Sequence, residues 1–145
     1  MNYWMLVSSP ENFEISRKMN FRLAGMKSRH RKKAIDVRVG DKVIFYMTKI
    51  GSFGATAEVK SEFFEDEKLV WVSDKPNEFY PFRFKIEPEV VVDEKSFVSA
   101  DELKDQLEYV KKWPKEHWKL AFQGNVHRLP ENDYQLINSA LKKRV

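Results

Sequence analysis

The run Val39-Gly40-Asp41-Lys42-Val43-Ile44-Phe45-Tyr46-Met47-Thr48, followed two residues later by Gly51-Ser52-Phe53-Gly54-Ala55-Thr56-Ala57-Glu58-Val59, decides the fold. Gly40-Asp41 marks a turn. The strand it feeds, Lys42 to Thr48, carries apolar side chains at odd and even positions alike, so both of its faces need cover, inside a barrel or beneath a helix. Gly51 and Gly54 bracket a hairpin connection into a second strand over 55–62.

Upstream of this hairpin, residues 2–8 read as an opening strand. Ser9-Pro10-Glu11-Asn12 then starts a helix that reaches about Arg17, with Ser9 as cap and Pro10 at the first helical position. Met19 to Lys33 is basic, holds Gly25 and shows little periodicity, which predicts a loop with a helical turn, suited to binding. Downstream, Leu69-Val70-Trp71-Val72 predicts a third strand. Phe82-Arg83-Phe84-Lys85-Ile86-Glu87 alternates apolar and charged residues and predicts a half-buried strand that continues past a break at Pro88 to Val92. Ser99-Ala100-Asp101-Glu102 fits a capping box leading an apolar stripe of Leu103, Leu107 and Val110, and Pro130-Glu131 opens a helix with Tyr134, Ile137 and Leu141 on one face. The segment from Trp113 to Arg128 fits neither period. Mostly consecutive strands with a few helices indicate the α+β class, a small mixed β-barrel of five or six strands flanked by helices, with residues 1–145 as a single domain.

With 145 residues, 42% of them hydrophobic and 33% charged, the chain has the composition of a globular domain and no apolar run near the length of a membrane span. The absence of cysteine excludes disulfides, thiolate zinc sites, iron–sulfur clusters and thiol nucleophiles. A cytoplasmic location is expected on that basis. The net charge of +4 hides a marked asymmetry. Between Ile15 and Ala34 stand Arg17, Lys18, Arg22, Lys27, Arg29, Arg31, Lys32 and Lys33 without one acidic residue, while carboxylates gather in 58–67 and 87–105. An acid-free cationic block of this length suits an anionic partner, nucleic acid first.

The phosphate-binding loop, the dinucleotide fingerprint and the nucleophile elbow are all missing. His30, His117 and His127 lack metal-ligand spacing, and His30 is expected as a titrating cation or hydrogen-bond donor. Lys42, Thr48, Lys49 and Glu58 flank the hairpin and would be the components of a cysteine-free hydrolase. Aromatic residues make up 14% of the chain, and among Trp4, Phe53, Trp71, Phe79 and Tyr80 the one singled out for ligand contact is Phe53, held between glycines at a turn. An aromatic beside a cationic loop is what recognition of an unstacked base requires.

The stretch from Val39 to Asp66 resembles the EVE domain, a PUA-like barrel related to the ASCH and YTH domains. Supporting matches are Tyr3-Trp4 with Ser8-Ser9-Pro10, Gly25 with its basic neighbours, and Arg128-Leu129-Pro130-Glu131 followed by Asp133-Tyr134 and Ile137. The resemblance implies a barrel pocket that accommodates one base, often modified. On that resemblance Trp4 is a wall or floor of the pocket, Ser8, Ser9 and Asn12 are polar contacts, and Gly25, Met26, Ser28 and Arg29 belong to a covering loop. Thr48, Phe53 and Gly54 form the hairpin side, with Arg22, Lys27, Arg31, Lys32 and Lys33 as phosphate contacts. The expected partner is nucleic acid, RNA before DNA, with a modified nucleobase. No cofactor, metal or membrane is expected, and the alternative is an ASCH-like hydrolase of a modified nucleoside. Two positions depart from the pattern: Met47 stands where many relatives have histidine, and Leu23 where they carry tryptophan, with Phe21 as its nearest substitute.

Overall fold

The computed structural model describes residues 1–73 and 75–145. In chain order the strands are β1 (Tyr3–Ser8), β2 (Leu23–Met26), β3 (Lys42–Met47), β4 (Ser52–Val59), β5 (Phe64–Glu65), β6 (Phe82–Val91), β7 (Val98–Ser99) and β8 (Val126–Leu129). The helices are α1 (Pro10–Lys18), α2 (Arg31–Asp36), α3 (Ala100–Leu103) and α4 (Glu131–Lys142). The fold is α+β, as expected: six strands make a curled sheet in the order β2-β6-β4-β3-β1-β8, to which β5 adds along β6 and β7 along β4. β1 runs parallel to β3, and the other neighbouring pairs are antiparallel.

The double-faced apolar pattern of β3 is explained by a core on each side of the sheet. Trp4, Leu6, Val43, Phe45 and Met47 enter the inner core with Phe13 of α1, Phe21 and Phe84. Their alternates Met5, Val7, Ile44 and Tyr46 enter a second core with Phe53, Leu107, Phe122 and the α4 residues Ile137 and Leu141. The Gly40-Asp41 turn is tied down by Asp41, whose carboxylate accepts from Trp4 Nε1, Asn2 N and Arg38 N at 2.9 Å each.

The two edge strands of the path, β2 and β8, are bridged through Asn125. Its side-chain oxygen accepts from Lys27 N at 3.0 Å, its amide donates to Val7 O at 3.2 Å, and its backbone oxygen accepts from Val7 N at 2.8 Å. Lys33 adds a second stitch, donating from Nζ to Val126 O at 2.8 Å.

Three segments differ from the expectation. The basic region predicted as loop contains β2, a 3₁₀ turn at Ser28–His30 and α2, because antiparallel pairing with β6 orders a stretch that has no period of its own. The strand predicted at Leu69–Val72 is irregular loop, its backbone bonding to a side chain of α1 where a strand would have bonded to a neighbour. The stripe Leu103, Leu107 and Val110 is buried, but α3 ends at Leu103 and 3₁₀ turns follow, since the Asp133 carboxylate accepts from Glu108 N and Tyr109 N and draws the backbone off the helical path. The expected break near Pro88 is a register shift in the β4–β6 pairing.

Candidate functional site

Helix α1 starts on the Ser9 cap, whose Oγ accepts from Asn12 N at 3.1 Å, and it turns two polar residues one helical turn apart, Asn12 and Ser16, into the protein. Both are buried, and both clamp the segment between β5 and β6. Asn12 Nδ2 donates to Val72 O and Val72 N donates to Asn12 Oδ1, each at 2.8 Å, so the amide mimics a β-ladder partner. Ser16 Oγ accepts from Trp71 Nε1 at 3.0 Å. The indole lies against Gly25 so closely that a Cβ on Gly25 would come within 2.4 Å of it, which makes glycine obligatory there while the ring keeps its place.

Arg83 holds the opposite side of this loop. Only 3% exposed, it donates to Tyr80 O at 3.1 Å and to Lys68 O, pairs with Asp66 at 3.4 Å, and sets its guanidinium 5.5 Å from the Trp71 ring centroid. The charged residue of an alternating strand is thereby buried, because the loop supplies its partners. Trp71 and Tyr80 meet at 5.8 Å between centroids with a 59° tilt and make an aromatic corner.

Between this corner, the C-terminal end of β1 and the start of α1 lies a cleft of about 510 Å³, bordered by Ser8, Asn12, Thr48, Tyr80 and Asn125. A recess of about 20 Å³ continues beneath it to Gly25, Trp71 and Phe45. Ser8 Oγ is buried in this wall without a hydrogen-bond partner among the described residues. Leaving a buried hydroxyl unpaired costs about 1–3 kcal/mol, a cost that a polar ligand group would remove.

The cleft's rim carries Lys27, Arg29, Lys49 and Lys75 together with two acids, Glu11 and Glu78. Glu78 pairs with Lys27 at 2.9 Å and Arg29 at 3.3 Å, and the Ser73 hydroxyl together with Lys27 holds its carboxyl at about 2, well below the usual carboxylate range. His30 is pushed down to about 4 by burial and by Lys33, Arg29 and Lys27, and accepts from Arg29 Nε at 3.3 Å. It is therefore neutral at pH 7 and an acceptor, contrary to the expectation of a cation or donor.

Of the residues expected at the pocket, Ser8, Ser9, Asn12, Gly25, Arg29 and Thr48 come together around the cleft and its recess. Trp4, Met26, Phe53 and Gly54 do not. Trp4 is the second residue of β1, four residues from Ser8 and about 13 Å away along the strand, and is held at that end by Asp41. Met26 is buried in the inner core. Phe53 faces the second core, where Tyr46 and Phe122 pack on it at 5.3 and 6.0 Å between centroids. Gly54 makes room for α1, since a Cβ there would meet Phe13 at 2.6 Å. Phe21 likewise lies in the inner core against Phe13 and Phe45. Ser28 lines a neighbouring groove instead.

Among the expected phosphate contacts, Lys27 borders the cleft and Lys33 is committed to Val126 O. Arg22, Arg31 and Lys32 are exposed outside the cleft and form no ion pair among the described residues. Lys42 and Glu58 pair with each other at 2.9 Å at the opposite end of β3 from Thr48, so no lysine–threonine–glutamate set is assembled. Sequence reasoning missed Trp71, Tyr80 and Asn125 as site residues. The one available signal for Trp71 was a tryptophan in a short apolar run set against the turn-favouring residues Ser73, Asp74, Pro76 and Asn77.

Comparison with known proteins places residues 2–140 within the family described as the EVE domain. A UPF0310 protein of Pyrococcus abyssi is 31% identical over 150 residues, spanning 97% of this chain and 100% of the relative. Among solved structures, the YTH domain of the Zygosaccharomyces rouxii MRB1 protein, in complex with N6-methyladenosine RNA, superposes with a TM-score of 0.68 at 17% identity, covering 97% of this chain and 86% of the other. The Mmi1 YTH domain in complex with RNA also has a TM-score of 0.68, at 14% identity, covering 99% and 82%. At those identities the likeness is one of fold.

Proposed function

The chain belongs to the EVE domain family, and on that premise we propose that it binds single-stranded nucleic acid, RNA before DNA, by receiving one base, modified by preference, in the cleft between β1, α1 and the 66–81 loop. The observation that carries this reading is the unpaired Ser8 hydroxyl at the foot of an aromatic corner made by Trp71 and Tyr80. A flat ring with polar edges satisfies both features at once. Tyr80 borders the cleft and offers the stacking face, worth about 1–3 kcal/mol per base, Trp71 meets the substituent in the recess, and the edge of the base supplies the partner that Ser8 lacks. The recess of about 20 Å³ is the size of a small substituent or a water, so the ring itself occupies the wider cleft and a methyl group points inward.

Lys27, Arg29, Lys49 and Lys75 surround the opening and are the phosphate contacts of this reading. Such contacts position the strand and carry no base preference. The fold shared with YTH domains solved in complex with RNA supports the same conclusion.

Fluorescence anisotropy with labelled RNA and DNA oligonucleotides, unmodified or carrying N6-methyladenine or 5-methylcytosine, tests the proposal at two salt concentrations. The expected result is binding that weakens with salt and is tighter for one modified base. Absence of salt-dependent binding to every oligonucleotide refutes it.

A further inference from the structure

The segment Glu78-Phe79-Tyr80-Pro81 is a ridge between two recesses. Glu78 and Tyr80 border the cleft, whereas Phe79 and Pro81 line a second groove of about 420 Å³ together with Ser28, Glu67 and Leu69. The ridge is bonded to the basic segment, because Ser28 N and Ser28 Oγ both donate to Phe79 O, at 3.1 and 3.3 Å. Lys27 and Arg29, the chain neighbours of Ser28, reach Glu78 at 2.9 and 3.3 Å, which stations two cations at the boundary between the recesses. In the groove Phe79 is 46% exposed and Leu69 74% exposed, a pairing of large apolar side chains in one recess that points to a partner.

We propose that this groove is a second subsite, taking the base of the nucleotide adjacent to the one held in the cleft. The inference rests on the function proposed above and extends it from one base to two. A single strand repeats base, phosphate, base, and the protein repeats aromatic cleft, cationic ridge, aromatic groove in the same order. Phe79 provides the stacking face, with Leu69 and Pro81 as apolar flanks. Charge complementarity selects this occupant over a second copy of the chain, since self-association across this face would bring Lys27 and Arg29 toward their own copies. Glu67, an acceptor when ionised, favours a base that presents an amino or imino hydrogen.

The test compares wild type, Phe79→Ala and Phe79→Trp for two ligands: a nucleoside 5′-monophosphate, and an RNA trinucleotide with the same base at its centre. Adenine, N6-methyladenine, cytosine and 5-methylcytosine serve in turn as that base. Phe79→Ala is expected to weaken trinucleotide binding about ten-fold, to leave monophosphate binding unchanged, and to be rescued by Phe79→Trp. Equal trinucleotide affinity in wild type and Phe79→Ala overturns the subsite, and so does a parallel loss for both ligands. Concentration-dependent dimerisation abolished by Phe79→Ala, with trinucleotide binding unaffected, assigns the groove to a second copy and overturns the proposal as well. Wild type that binds neither ligand defeats the cleft reading and the subsite with it, a result distinct from all of these.

Discussion

The hairpin at Gly51–Gly54 and the loop over 66–81 each set a large aromatic beside a glycine, and they hold it by opposite means. Phe53 sits in a regular strand and is enclosed by side chains of its own core, Tyr46 and Phe122 among them. Trp71 sits in irregular backbone and is held by polar contacts from elsewhere: Ser16 on its indole nitrogen, Asn12 on the next residue, and Arg83 over its face. The first arrangement supplies stability and leaves no face for a ligand. The second leaves Trp71 and Tyr80 partly exposed at a cleft, which suits a surface that must admit a ring and release it.

The contrast breaks most visibly at Phe53. Phe53→Ala is expected to cost about 3–5 kcal/mol of stability, read by denaturant unfolding, with oligonucleotide affinity unchanged wherever the protein remains folded. If Phe53→Ala instead removed base preference without unfolding the protein, the assignment of the two aromatics would be reversed. The two glycines give the next largest effects. Gly54→Ala presses on Phe13 and is expected to destabilise by about 1–3 kcal/mol. Gly25→Ala displaces the Trp71 ring, so tryptophan emission and base preference change while thermal stability moves much less.

Asn12→Ala removes the paired bonds to Val72 and sharpens the comparison further. Nucleotide affinity should fall several-fold, and amide exchange should rise in 66–81 before it rises in β3 or β4. The smallest effect is a pH dependence at His30. Its folded-state pKa of about 4 lies below the ordinary 6.5, so between those values the unfolded chain takes up a proton that the folded chain refuses. The stability contribution is complete above about 6.5 and declines as pH falls toward 4, and His127, also lowered by burial, acts in the same direction. His30→Gln is expected to flatten the melting-temperature profile across that window.

The elements with a strong period were legible in the sequence: β1, the Ser9-capped α1, the β3–β4 hairpin, the alternating start of β6 and the apolar face of α4. On the side of the cleft built from these elements, Ser8, Ser9, Asn12 and Thr48 were named through the family resemblance, and the end of β1 and its neighbours bring them together. The opposing wall was not legible. Leu69-Val70-Trp71-Val72 has the composition of a strand, and what makes it a loop is a side-chain amide 60 residues away, which leaves no local pattern to read. Asn125 was hidden in the same way, since its bonds to Val7 and Lys27 span the open edge of the sheet and not a turn of its own. Of the acid-free basic block only Lys27 and Arg29 reach the rim, and the sequence could not show that Glu78 from the distant loop already pairs with both.

The most direct test of the proposed division between an aromatic wall for the base and a cationic rim for phosphate is a salt titration of wild type and Trp71→Ala. RNA with and without the preferred modified base is bound to each protein across a range of salt concentrations. With two to four phosphates contacted, log K should fall with log salt at a slope of about −1.4 to −2.8 in both proteins, while Trp71→Ala loses about ten-fold in affinity and its preference for the modification. A Trp71→Ala protein that keeps the preference, or that loses the salt slope along with it, would contradict the account.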